Sequence, residues 1–206
     1  MTMSFDMRPL FALLPFLSTL ALAQTAPAPK IVPEQNGRVT NYRAEGSLES
    51  TQAIGCIPLS KAKSTMTPPD LYRGVAECIA RDNYDLAADL SALAGIYANF
   101  DVIRVSDKSA GQAKTVLVMN TFANVPQDKK IKFTETLNRI AGNPESLAKL
   151  CGEVRKIGKP DYYPRYMILH GIGAFTGDSK DAPLIKDFDP QKSWALLQSA
   201  YLHCPP

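Results

Sequence analysis

From Thr67 onward the sequence keeps writing one signal, a capping side chain followed by proline. It occurs as Thr67-Pro68, Asn143-Pro144 and Asp189-Pro190, and Pro126 and Pro164 stand before two further periodic stretches. Ser, Thr, Asp and Asn side chains bond the free N–H groups of a first helical turn. Proline suits the first helical position, where its missing N–H costs nothing. A chain that restarts helices this often is read as all-α, a compact domain of about seven helices.

The apolar spacing behind each start agrees. Leu71, Val75 and Cys78 fall on one helical face, and Leu86, Leu90, Leu93 and Tyr97 form a second stripe. Asp82 and Asn83 break the pattern between them, which predicts an antiparallel helical hairpin. A third helix is expected from Ser106 or Asp107. Its centre, Thr115 to Met119, is rich in β-branched residues, so strand and helix both stay open there. Phe133, Leu137 and Ile140 mark a fourth helix that ends at Gly142. Leu147, Leu150, Cys151, Val154 and Ile157 give a fifth. "PRYMILHGIGAF", Pro164 to Phe175, is apolar nearly all round and reads as a buried central helix, its glycines allowing close packing. Trp194, Leu197 and Tyr201 mark the last.

Residues 24–66 differ in kind. "TAPAPKIVP" can be neither a helix nor a central strand, because proline fixes φ and removes a donor. The segment is expected to be an irregular leader and cover, with room for a short strand. Residues 67–206 form the single helical domain.

Before it, Leu10 to Leu22 is an apolar run, short of the ~20 residues a membrane-spanning helix needs. It ends in Ala21-Leu22-Ala23, the small-x-small pattern of a signal-peptidase site. Residues 1–23 are therefore read as a signal peptide, and the protein as periplasmic or secreted. Asp6 offsets Arg8 in the leading region, which a start at Met7 would make conventional. No later stretch is read as membrane-spanning, so no stable membrane insertion is expected after cleavage.

Cys56, Cys78, Cys151 and Cys204 all follow the expected cut. Four cysteines in an exported chain point to two disulfides, and they allow three pairings. Cys56–Cys78 and Cys151–Cys204 would each join neighbouring elements, but the sequence leaves the choice open. No C-x-x-C pair is present and no metal is expected. The net charge of +3, with 21% charged residues, lacks the strong basic patch of a nucleic-acid binder.

Chemistry is sparse. His170 is the candidate general acid or base, but no serine stands in a Gly-x-Ser-x-Gly turn. Glu77, Asp82, Asp85, Asp89 and Asp101 read as solvated helix faces. "GIGAFTG" lacks the spacing of a dinucleotide fingerprint, and no cofactor is expected. Tyr162, Tyr163, Arg165 and Tyr166 are of the types that dominate binding hot spots and form the candidate binding cluster.

Leu71 to Asn99, with Tyr84, Ala87 and Ala94 at large and small positions, resembles one tetratricopeptide or Sel1-like hairpin. The expected glycine is displaced to Gly74, Ser91 replaces an aromatic, and no second copy follows. The resemblance implies protein or peptide binding in a concave groove. The whole chain is similar to small, uncharacterised exported proteins of Gram-negative bacteria.

The expected function is thus a non-catalytic helical protein that binds another envelope protein, as inhibitor, immunity factor or accessory. The alternatives are an envelope-acting hydrolase using His170 and a carrier of small apolar ligands.

Overall fold

The computed structural model describes residues 29–177 and 183–205. The expected signal peptide lies outside them. Among the described residues eight α-helices surround one core, with a two-stranded hairpin at the edge.

The hairpin lies in the segment read as irregular. Strand β1 (Ile31–Asn36) pairs antiparallel with β2 (Val39–Ala44) across Gly37 and Arg38. Gly37 takes φ +62°, a turn conformation that glycine adopts without penalty. Proline is tolerated at Pro33 because β1 is an edge strand. The base of the hairpin is anchored where Ala44 packs with Leu169 and Ala174.

Helix α1 (Pro68–Ala80) begins at the expected cap. Asp70 is fully buried and accepts from the N–H and hydroxyl of Thr67. It also accepts from the Thr51 and Gln52 N–H groups and the Ser50 hydroxyl, at 2.7 to 2.9 Å. One carboxylate therefore caps the helix and ties the covering segment to it. Gly74 gives that segment room to cross, since a Cβ there would stand 2.9 Å from the Gly55 carbonyl oxygen.

A short turn leads to α2 (Tyr84–Arg104), which lies alongside α1 as the hairpin reading expected. Its 21 residues are long and apolar enough, by length and composition, to cross a membrane. That corrects the expectation that no such stretch follows the leader. Most of this helix is instead buried inside the domain: Leu90, Leu93, Ile96, Tyr97 and Phe100 are all closed to solvent.

A 3-10 turn at Lys108–Gln112 precedes α3 (Ala113–Phe122), so Thr115 to Met119 is helix. Helices α4 (Gln127–Gly142) and α5 (Pro144–Ile157) follow as predicted. Asn143 Oδ1 accepts from Ser146 N–H, and Asp189 Oδ1 accepts from the first turn of α8 (Pro190–Ala200). Helix α8 packs on α2, where the Tyr201 hydroxyl occupies the space a Cβ on Gly95 would fill.

The stretch read as one central helix is two short turns, α6 (Arg165–Ile168) and α7 (Gly173–Thr176). The break has a cause. Ile172 N–H donates to Ser109 Oγ and Gly173 N–H to Asp107 Oδ2, both at 2.8 Å. These N–H groups are taken by side chains of another segment, so the helical ladder stops. Ile172 and Phe175, expected inside, are exposed.

Two disulfides, Cys56–Cys78 and Cys151–Cys204, pin the cover to α1 and the C-terminus to α5. They are consistent with an oxidising, extracytoplasmic compartment.

Candidate functional site

The aromatic-basic cluster divides between inside and outside. The Tyr162 and Tyr166 hydroxyls both donate to Asp101 Oδ2, at 2.9 and 2.8 Å. Arg104 donates to Asp101 Oδ1 through Nε at 2.8 Å and Nη2 at 2.7 Å. Its Nη2 also donates to the Tyr162 carbonyl. The guanidinium lies 5.2 Å from the Tyr162 ring centre and 5.3 Å from that of Phe100, cation–π distances. Asp101 has no solvent exposure, and burial pushes its carboxyl up to about 6 against the pull of Arg104 and both tyrosines. Tyr162 and Tyr166 thus hold the loop to α2, and their polar ends face inward. Their hydroxyls are engaged inside the fold, while Tyr166 also lines the cleft that Tyr163 and Arg165 border. The missed partner is Arg104. Its signal was Asp101 and Arg104, three residues apart, at the end of a helix otherwise apolar on its inner face.

Tyr163 and Arg165 do face outward. Tyr163 is 54% exposed, and the pair lines a cleft of about 320 Å³ against Glu45, Glu49 and Ser50.

His170 is half-buried. Its Nδ1 lies 3.3 Å from Ser47 Oγ, and burial holds the imidazole below its ordinary pKa. Ser47 is itself buried, and no carboxylate among the described residues bonds the other ring nitrogen. Among the described residues the pair has no third, orienting group of the kind a hydrolytic triad uses. His203 is exposed in a left-handed conformation at the C-terminus. Among the described residues no three His, Cys, Asp or Glu side chains are arranged to hold a metal ion.

A larger cleft, about 700 Å³, runs between α1 and α3. Leu48, Tyr72, Ala76, Ile79, Leu117 and Val125 give it apolar walls, and Asn120, Thr121 and Asn124 a polar rim. Its charged lining residues are Arg73 and Lys129, both cationic. Lys129 is fixed by the Ile79 and Ala80 carbonyls and by Asp82. Ser50 borders this groove and the Tyr163–Arg165 cleft alike, so the two adjoin.

No family model matches this chain, and neither a curated protein nor a solved structure does.

Proposed function

We propose that the chain is an exported, non-catalytic helical protein that binds another protein of the envelope in the α1–α3 groove. The observation that supports this best is the groove itself, which is apolar along its walls, open on one side and lined by cations alone among charged groups. An open trough accommodates a segment of polypeptide, whereas a carrier of small apolar ligands encloses most of its cargo. The fitting occupant is an amphipathic segment that lays its apolar face on these walls, since both cations already have acidic partners, Lys129 in Asp82 and Arg73 in Glu77. The signal-like leader and the two disulfides support a periplasmic or secreted location. Inhibitor, immunity factor and envelope accessory are the roles open to such a binder.

The test is capture from an envelope extract with the wild-type chain and with Ala76→Trp, which fills the groove from its wall. A partner held by the wild type and lost by the variant, with unchanged circular dichroism, supports the reading. Equal retention by both sinks it.

The hydrolase reading keeps one observation in its favour, the contact between His170 and Ser47. Loss of a hydrolytic activity of the native protein on His170→Gln would favour it over the binder.

A further inference from the structure

The β1–β2 hairpin offers a second, separate surface. The pair Asn36–Val39 closes a two-residue turn, so hydrogen-bonded pairs alternate from there: 36–39, 34–41 and 32–43. The Glu45 N–H to Lys30 carbonyl bond, 2.8 Å, continues the same alternation. Residues between these pairs turn their N–H and C=O away from the partner strand. On β1 they are Ile31, Pro33 and Gln35, and Pro33 has no N–H to offer. On β2 they include Thr40 and Tyr42, both with full donor and acceptor. Among the described residues, no backbone bond from outside the hairpin reaches either one.

One edge is therefore blocked by proline and the other is open. The open edge also carries uncovered apolar surface: Val39 is 60% exposed and Tyr42 64%. A lone two-stranded hairpin is marginal in water, and an unprotected edge is a template for pairing.

We propose that β2 pairs with β2 of a second copy of this chain, antiparallel about a two-fold axis at Asn41. In that register Thr40 of each chain faces Tyr42 of the other, and all four residues exchange their outward N–H and C=O groups. Arg43, the one charge on β2, faces Val39 of the other copy and keeps its 2.6 Å bond to Glu49. Like charges are not opposed. Pro33 then lies at both outer edges of the four-stranded sheet, which stops growth at a dimer. A second copy is favoured because this register sets Thr40 against Tyr42 and Arg43 against Val39, opposes no like charges, and leaves the proline-bearing strand at both outer edges.

The experiment is sedimentation of the mature, disulfide-bonded chain over a dilution series. A dimer that dissociates on dilution is expected. Thr40→Pro removes an outward donor and spares the β1–β2 bonds, so it should give a monomer with unchanged circular dichroism. Asn41→Cys should cross-link two chains under mild oxidation, since that residue faces itself across the axis, and Arg38→Cys should not. A single-chain mass at every concentration overturns the proposal. So does a dimer that Thr40→Pro leaves intact, or cross-linking that is equal for the two cysteine variants.

Discussion

Gly171 sits against Asp107 so closely that a Cβ on it would stand 2.2 Å from Asp107 Oδ2. The approach lets that carboxylate take the Gly173 N–H and break the helix at this point. Gly152, inside α5, has nothing within 4 Å of a Cβ placed there. Gly171→Ala should thus lower stability by about 1 to 3 kcal/mol through overpacking. Gly152→Ala should raise it by about 0.5 to 1 kcal/mol through helix propensity. Urea denaturation midpoints of both variants check the pair, and a neutral Gly171→Ala would remove the account of the broken helix.

Asp101 concentrates the polar energetics of the core. Replacing it by Asn leaves Arg104 buried without its counter-charge, which should cost about 3 to 5 kcal/mol. Tyr166→Phe removes one hydrogen bond to the carboxylate and should cost about 1.5 to 3 kcal/mol. The expected order, Asp101→Asn worse than Tyr166→Phe, can be read from denaturant midpoints. The reverse order would mean that Asp101 is not the hub.

The helices were legible where local signals and packing agreed. Caps such as Asn143 and Asp189 bond the N–H groups their positions imply. Helix α5 shows its period because only one of its faces is buried: Leu150, Cys151 and Val154 point inward. What failed was non-local. Nothing near Ile172 in the chain signals that Ser109 and Asp107 will take the N–H groups of Ile172 and Gly173. The outward pair Tyr163 and Arg165 could not be told from the inward pair Tyr162 and Tyr166, because the direction depends on where Asp101 arrives from α2. Likewise α2 has the composition of a membrane span, since apolar residues surround it wherever other helices do. The α1–α3 groove left no sequence signal, because it depends on how far apart two packed helices lie.

Asp89 should make stability depend on pH. Burial, with Asp85 and Glu153 nearby, pushes its carboxyl up to about 6 against the opposing pull of Lys149 and Arg139. In the unfolded chain an aspartate titrates near ~3.9. Between these values the folded state holds a proton that the unfolded state releases. Stability therefore falls as pH rises through that window, and the loss is complete above it. Partial exposure screens the effect to about 1 kcal/mol. Asp89→Asn should stabilise the protein by that amount near neutral pH and have little effect near pH ~4. Urea midpoints at the two pH values check it, and an equal gain at both would show that the charge is not the cause.

The two disulfides should contribute unequally. Cys56–Cys78 closes a separation of 22 residues and Cys151–Cys204 one of 53. Loop-closure entropy grows with the logarithm of loop length, giving about 3 kcal/mol for the shorter and about 4 kcal/mol for the longer. The shorter bridge has a second task, because it holds the crossing segment over Gly74, next to the Asp70 anchor. Replacing Cys56 and Cys78 by Ser should therefore expose the cover to limited proteolysis near residues 50–58 while α5 and α8 stay protected. Replacing Cys151 and Cys204 should leave the cover intact and free the C-terminus. Mapping the first cleavage sites separates the outcomes, and cleavage at the same positions in both variants would show that the bridges stabilise the domain only as a whole.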